Sequence, residues 1–125
     1  MEKFNNQDRV FETAAQLFAL LATPMRLKII SALCEQEKNV SELLAEIDTT
    51  QPNMSQHLAA LHRKGVISRR REGAQIYYQL QSERVASLCR AVCTQLAIEM
   101  DIDVAIEPSD RLLIVQDYSG HAALP

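Results

Sequence analysis

One segment of this 125-residue chain interrupts a pattern that is otherwise helical. In the segment VISRRREGAQIYYQL, residues 66–80, the apolar residues Ile76, Tyr78 and Leu80 alternate with polar ones. This alternation is typical of a half-buried β-strand, and Gly73 supplies a turn between two such strands. The segment therefore predicts one β-hairpin within a mainly α-helical chain.

Apolar residues spaced three and four apart predict five helices around this hairpin. Local signals mark their ends: Pro24, Asn39 followed by Glu42 as in a capping box, Gly65 and Ser82. The first two helices cover about residues 6–22 and 24–37, and the third is about two turns long. The fourth ends at Gly65, and the fifth runs from Ser82 to about residue 100.

Length and composition limit the class of protein. A chain of this length has room for one hydrophobic core. With 47% hydrophobic and 23% charged residues, and no apolar run near the roughly 20 residues of a membrane span, it has the composition of a globular protein. We expect no membrane partner, a cytoplasmic location and reduced cysteines. We expect one domain over residues 1–101 and a loosely structured tail over residues 102–125.

Positive charge is concentrated in one part of the chain. The net charge is −3, which taken alone argues against a nucleic-acid binder. Residues 51–80, however, hold five basic residues against one acidic residue, a formal charge of +4, so the remaining 95 residues carry −7. This segregation is expected if a single face contacts a polyanion. The alternative is a solvated charged loop.

Two helices joined by a short turn and followed by a basic hairpin predict a winged helix-turn-helix. In that fold the fourth helix enters the major groove of DNA and the hairpin reaches the flanking backbone. The candidate base-reading residues, short or amide side chains for the most part, are Thr50, Gln51, Asn53, Ser55, Gln56 and His57. The candidate phosphate-contacting residues are Arg69, Arg70 and Arg71. The alternative is a polar helix start that contacts only water.

The fifth helix carries an apolar stripe that has no partner nearby in the sequence. The stripe comprises Val85, Leu88, Cys89, Val92, Cys93, Leu96 and Met100. An unpartnered stripe of this kind favours dimerisation through the helix.

Four stretches of the chain resemble one known family. The motifs LFALLATPMRLKIISAL, NVSELLAEI, TTQPNMSQHLAALHRKGVI and RREGAQIYYQL resemble the ArsR/SmtB family of bacterial winged-helix repressors. The resemblance implies a homodimer paired through the first and fifth helices, which binds an inverted-repeat operator in double-stranded DNA and releases it when an inducer binds. It also implies base reading by Gln51, Asn53, Ser55 and Gln56, and backbone contacts by residues 69–71.

The metal sites typical of the family are not matched in this chain. At the positions of the zinc-type ligands it has Ser82, Arg84, Gln95 and Ile98, which are poor ligands for such ions. The third helix begins NVSELL and lacks the Cys-x-Cys pair of the arsenic and cadmium sensors.

Three cysteines remain as a candidate inducer site: Cys34, Cys89 and Cys93. Cys89 and Cys93 are four apart and therefore share one face of a helix. Three thiolates could bind a soft metal or a metalloid such as arsenite, whereas two could form a disulfide or polysulfide bridge with reactive sulfur or peroxide. The third alternative is that all of them fill the apolar core. The distance of Cys34 from the other two is left open by the sequence.

Two other classes of function compete with a thiol-responsive repressor. An enzyme is not expected, because the chain has no glycine-rich phosphate loop, nucleophile elbow or metalloprotease signature, and no catalytic residue is proposed. A winged helix that serves as a protein-interaction module, or a repressor without a thiol-based inducer, is the remaining alternative. A steep loss of DNA affinity with salt would argue against the interaction module.

Overall fold

Five α-helices and three short β-strands make up residues 5–102, which are the residues described by the computed structural model. The elements are α1 (Asn6–Leu21), α2 (Pro24–Glu35), β1 (Lys38–Asn39), α3 (Val40–Glu46), α4 (Gln51–Arg63), β2 (Ile67–Glu72), β3 (Gln75–Leu80) and α5 (Glu83–Glu99). The predicted mainly α, winged helix-turn-helix fold is confirmed. Apart from residue 102, the predicted tail lies outside the described residues, so the division at residue 101 stays a prediction.

Side-chain caps set where the helices begin. Thr23 Oγ1 accepts a hydrogen bond from the N–H of Arg26 at 3.0 Å, just ahead of Pro24 in the first turn of α2. At α3, Asn39 Oδ1 accepts from the N–H of Glu42 at 2.8 Å, and the Glu42 carboxylate accepts from the N–H of Asn39 at 2.9 Å. This reciprocal pair is the predicted capping box. The caps satisfy backbone donors that the helices leave unpaired, and so fix the turns between them.

The sheet contains one strand more than the sequence predicts. β2 and β3 form the expected antiparallel hairpin, whose turn holds Gly73 at φ 64°. β1 adds to the other edge of β3, with Lys38 opposite Tyr78 and Asn39 opposite Tyr77, and the strand order is β1-β3-β2. A strand of two residues is too short to show an alternating pattern in sequence. It nevertheless ties the hairpin to the start of α3.

The hydrophobic core forms where α2 packs against α4, α5 and β3. The largest fully buried side chains are Ile29, Ile30, Leu43, Met54, Leu58, Leu61, Ile67 and Val85. Three of them, Met54, Leu58 and Leu61, lie on one side of α4 and anchor that helix to the core. The opposite side of α4 is therefore left facing solvent.

The apolar stripe of α5 is buried along its first half and exposed along its second. Val85 and Cys89 are only 2% and 4% exposed because they pack into the core, where α5 meets α2. Val92 and Leu96 are each 49% exposed, and Met100 is 66% exposed. The stripe was expected to have no partner nearby in the sequence, and its first half is covered by the distant helix α2, while its second half faces solvent. Sequence spacing shows a stripe, but it does not show packing against a distant helix.

Within the described residues, no single helix has the length and apolar content needed to cross a membrane. α1 and α2 meet those requirements only when they are counted together, and a bend of 89° separates them.

Candidate nucleic-acid interface

The start of α4 exposes the polar residues that the sequence singled out. Gln51, Asn53, Ser55 and Gln56 are all exposed, whereas Met54 among them is fully buried. The buried side of the helix fixes its orientation, so these polar residues project from the core together. Their amide and hydroxyl groups are donors and acceptors suited to base edges.

Thr50 and Asn53 also have partners within the protein. Thr50 is the N-cap of α4, and its hydroxyl oxygen accepts a hydrogen bond from the N–H of Asn53 at 3.2 Å. The Asn53 side-chain amide donates to the hydroxyl of Thr49 at 2.9 Å. These bonds order the turn before α4, and each side chain keeps further hydrogen-bonding capacity. Thr50 thus has a structural role in addition to the predicted contact with DNA.

His57 is half-buried and joins α4 to α2. Arg26 Nε donates to His57 Nδ1 at 3.0 Å, and Arg26 Nη1 donates to the carbonyl oxygen of Leu20, near the end of α1, at 2.9 Å. Burial and then the charge of Arg26 lower the pKa of His57. The ring is therefore neutral with its proton on Nε2, since Nδ1 accepts. A contact between His57 and DNA stays a prediction, while the contact with Arg26 is a role that the sequence did not suggest.

α4 and the hairpin border a common groove of about 270 Å³. The groove is lined by Val40, Ser41, Leu44, Gln51, Ala74, Gln75 and Ile76. Gln51 is the first residue of α4, and Gln75 and Ile76 are the first residues of β3. The polar start of the helix and the tip of the hairpin therefore lie side by side, as a winged helix-turn-helix requires.

The hairpin arginines lie on two faces of the sheet. The antiparallel register places Arg69 opposite Tyr78 and Arg71 opposite Ile76. Directly opposite residues share a face, so Arg69 and Arg71 lie on the same face as Ile76 and Tyr78. Both arginines are exposed, and neither makes an ion pair with any residue between 5 and 102.

Arg70 lies on the other face, and its charge is paired within the protein. Its Nε and Nη2 donate to the two carboxylate oxygens of Glu37 at 2.9 and 2.6 Å, and its Nη1 donates to Glu72 at 2.7 Å. Its Cζ lies 4.9 Å from the centre of the Tyr77 ring. The hydrogen bond with Arg70 lowers the pKa of Glu37, and the two carboxylates raise the pKa of Arg70. A contact between Arg70 and phosphate stays a prediction, while its ion pairs with Glu37 and Glu72 are contacts that the sequence did not suggest.

Sequence reasoning also missed Lys38, a charged residue at the base of the sheet. Lys38 is 5% exposed, and its Nζ lies 2.7 Å from Glu46 and 3.2 Å from Glu35. The hydrogen bond with Glu46 raises the pKa of Lys38. Nothing in the sequence marks this lysine, because its burial follows from the pairing of β1 with β3 rather than from local composition.

The three cysteines converge on one part of the core. Cys89 is buried, Cys93 is half-buried, and Cys34 packs against the cluster that contains Cys89. Burial, and then the neighbouring Cys93 and Cys34, raise the pKa of Cys89 to about 11. Cys34 therefore lies close enough to Cys89 for their charges to interact. Among residues 5–102, however, no three His, Cys, Asp or Glu residues are placed to hold a metal ion.

Comparison with known proteins connects this fold to a family. Residues 23–69, from the cap of α2 into β2, match the family described as bacterial regulatory protein, arsR family. The chain is 40% identical to the biofilm growth-associated repressor of Agrobacterium fabrum over 62% of this chain and 67% of that protein. The chain belongs to the ArsR family.

Solved structures of similar proteins share the ArsR-family fold of this chain. One is Rv0081 from Mycobacterium tuberculosis, with a TM-score of 0.65 and 32% identity, covering 73% of this chain and 92% of that chain. Another is the transcriptional repressor BigR from Xylella fastidiosa, also with a TM-score of 0.65 and 32% identity, covering 75% of this chain and 93% of that chain.

The ArsR-family assignment settles the general function. The relatives from Agrobacterium fabrum and Xylella fastidiosa named above are repressors. This ArsR-family protein is accordingly a transcriptional repressor of the ArsR/SmtB type, a class that binds DNA.

Proposed function

We propose that this ArsR-family repressor binds an inverted-repeat operator as a homodimer, with α4 of each protomer in the major groove. We call α4 the recognition helix, and its exposed polar residues together with Arg69 and Arg71 the DNA-facing surface. The groove between Gln51 and the hairpin tip is the observation that supports this proposal most. It brings the polar start of the recognition helix beside the tip of the hairpin, whose strand β2 carries Arg69 and Arg71. Binding of an operator also requires the predicted cytoplasmic location.

The side chains of the DNA-facing surface divide by chemistry. The amides of Gln51, Asn53 and Gln56 suit adenine, which presents an acceptor and a donor side by side in the major groove, and the hydroxyl of Ser55 is less selective. Arg69 and Arg71 would hold phosphates, which adds affinity but little sequence information. Thr50 and His57 support the surface by capping α4 and tying it to α2.

Two exposed apolar faces support the homodimer. Val10 and Phe11 on α1 are each 64% exposed and Phe18 is 57% exposed, while Val92 and Leu96 lie exposed on α5. Exposed apolar side chains on two helices mark an interaction surface, because covering them with a second copy removes them from water. A twofold axis through α1 and α5 would present two recognition helices to half-sites about 34 Å apart.

The proposal is tested with a duplex from upstream of the protein's own gene and a scrambled duplex of equal length. Gln56→Ala should mainly lower the ratio of the affinity for the upstream duplex to that for the scrambled duplex. The expected decrease is roughly 5- to 150-fold, because the variant removes a base contact worth about 1–3 kcal/mol. The double variant Arg69→Ala, Arg71→Ala should weaken both complexes alike and reduce their salt dependence. Lys28→Ala removes an exposed cation from α2 and serves as the control for loss of charge.

Two outcomes would contradict the proposal. Equal loss of sequence preference in the Gln56 and arginine variants would mean that the two parts of the surface do not have separate roles. Absence of binding to the upstream duplex, or an affinity that does not change with salt, would favour a protein-interaction module.

The cysteines support a thiol-based inducer as the finer part of the proposal. Cys89 and Cys93 lie one turn apart on α5, the helix whose second half we assign to the dimer interface, and Cys34 interacts with Cys89. A trigonal metalloid needs three suitably placed ligands, which the described residues do not supply, whereas oxidation needs only two thiols. We therefore favour a disulfide or polysulfide bridge. It forms when two thiols give up two electrons and two protons to peroxide or to a polysulfide.

The double variant Cys89→Ser, Cys93→Ser tests the inducer. It should still bind the operator duplex as a dimer, but peroxide and polysulfide should no longer release it. Arsenite is titrated in parallel, and the thiols that remain oxidised after the reagent is removed are counted at each step, so that release without thiol oxidation would point to a metalloid. If the double variant responds to every reagent as the wild type does, the cysteines only fill the core.

A further inference from the structure

We infer that Arg70 positions the hairpin, while Arg69 and Arg71 alone supply its contacts with DNA phosphates. The inference rests on the proposed DNA binding and divides three adjacent arginines between two tasks. It is based on the path of the Arg70 side chain, which extends across the sheet from β2, over Tyr77, to Glu37.

The contact made by Arg70 spans all three strands. Because β3 lies between β1 and β2, a residue of β2 must reach over β3 to meet Glu37, which directly precedes β1. Tyr77 of β3 lies in the path of Arg70, and its ring stacks against the guanidinium at 4.9 Å. Two N–H groups of Arg70 bind the two oxygens of Glu37, a planar arrangement that lysine cannot reproduce.

This contact fixes the hairpin relative to the recognition helix. β1 pairs with β3 at only two positions, Lys38 with Tyr78 and Asn39 with Tyr77, and it leads directly into α3. Glu37 and Arg70 add a side-chain link between the same parts of the chain. Without the link, the two-residue pairing and the burial of Ile67 and Tyr78 in the core would still hold the hairpin, but no side chain would join β2 to the residue before β1.

Charge argues in the same direction. Glu37 and Glu72 surround the Arg70 guanidinium with two carboxylates, so that a phosphate approaching this face would meet acidic groups as well as the arginine. Arg69 and Arg71 lie on the opposite face of the hairpin and make no ion pair within the described part of the chain. Position and charge thus assign phosphate contact to these two arginines alone.

Glu37→Gln distinguishes a positioning role of Arg70 from a phosphate contact, because the two roles predict opposite changes in the affinity for DNA. It raises the net charge by one and frees Arg70, so if Arg70 acted as a phosphate contact the affinity for DNA would rise. If Arg70 positions the hairpin, the affinity should fall several-fold, as in Arg70→Ala. Affinity is measured over a range of salt concentrations with a duplex of about 30 base pairs, long enough for two half-sites.

The slope of affinity against salt separates the three arginines. Arg69→Ala and Arg71→Ala should each lower the slope by about 0.9 for every phosphate that the side chain neutralises in the wild type, whereas Arg70→Ala should leave it unchanged. Arg70→Lys keeps the charge but not the two-pronged bond, and should therefore behave as Arg70→Ala does. Tighter binding by Glu37→Gln, a lowered slope in Arg70→Ala, or rescue by Arg70→Lys would each overturn the inference.

The positioning role has a readout that does not depend on DNA. In urea unfolding, Glu37→Gln and Arg70→Ala should be non-additive, because each breaks the same ion pair, whereas Glu37→Gln and Arg69→Ala should be additive. If the wild type binds no duplex, the proposed function fails, and this double-mutant cycle alone decides whether Arg70 positions the hairpin. Additive effects of Glu37→Gln and Arg70→Ala would then overturn the inference.

Discussion

The hydrogen bond that joins His57 to Arg26 depends on the protonation state of the His57 ring. Only an unprotonated Nδ1 can accept the hydrogen bond from Arg26, and a second proton would set two cations beside each other. Burial and the charge of Arg26 accordingly hold the pKa of His57 below its ordinary value of 6.5. Since Arg26 is also bonded to Leu20, protonation of this one ring would loosen α4 from both α2 and the end of α1.

We expect the free energy of unfolding to fall as the pH is lowered from about 7 to about 5, and to fall less in His57→Gln. The unfolded chain takes up the proton at a higher pH than the folded one, so this stabilisation is complete above the unfolded pKa and is lost as the pH falls through the folded pKa. Urea unfolding at several pH values measures it. Gln56→Ala, a substitution at an exposed and non-titrating site of the same helix, should keep the wild-type dependence. Equal dependence in wild type and His57→Gln would contradict the assignment.

The hairpin arginines show which contacts could be predicted from the sequence and which could not. Consecutive arginines in a strand must alternate between faces, so the separation of Arg70 from Arg69 and Arg71 follows from the predicted hairpin itself. The partner Glu37 could not be predicted, because it reaches Arg70 only through the two-residue strand β1. The exposed residues of the recognition helix were predictable because local caps and apolar spacing determine them.

Among the elements, β1 depends on a buried charge. Lys38 stands on this strand with its ammonium between Glu46 of α3 and Glu35 of α2, so one side chain holds three elements together. The pairing of β1 with β3 provides the burial, and the two carboxylates offset its cost.

Lys38→Met should destabilise the protein by about 1–2 kcal/mol in urea unfolding. Removal of one partner from a fully buried ion pair costs about 3–5 kcal/mol, and the smaller figure applies here because solvent reaches both carboxylates. The side chains of Glu35 and Glu46 are 43% and 31% exposed. Lys28→Met, at an exposed site of α2, is the matched control and should change stability by no more than about 0.5 kcal/mol. If Lys38→Met and Lys28→Met were equally stable, the ion pairs of Lys38 would not contribute to stability.

Element boundaries were predictable where short-range chemistry sets them. The capping box at Asn39, the Thr23-Pro24 start and the stop at Gly65 all act within one helical turn, and the structure contains each of them. β1 and the burial of the first half of α5 depend on contacts between distant parts of the chain. Those contacts leave no local pattern, so the sequence showed a stripe on α5 but not which half is covered.

For the whole molecule, we expect the exposed apolar faces of α1 and α5 to decide the oligomeric state. Leu96→Glu combined with Phe11→Glu should give a folded monomer, because both side chains face solvent in the single chain and a charge there opposes pairing. Sedimentation equilibrium measures the mass, and circular dichroism confirms that the helices remain. Ser87→Glu introduces a charge at an exposed site of α5 outside the apolar face and should stay dimeric. A wild-type monomer, or a double variant that still dimerises, would contradict this interface.

The hairpin extends beyond the part of the sheet that β1 supports. Between the turn and Tyr77, the residues Gln75 and Ile76 pair with β2 alone, so the tip of the hairpin is two-stranded. Two residues added to each strand at Gly73 would lengthen it by about 7 Å, close to the axial rise of two base pairs. Neither the β1 pairing nor the Arg70–Glu37 contact would be disturbed. The length of operator that each protomer covers could therefore diverge among relatives through insertions at this tip, while the rest of the fold stays the same.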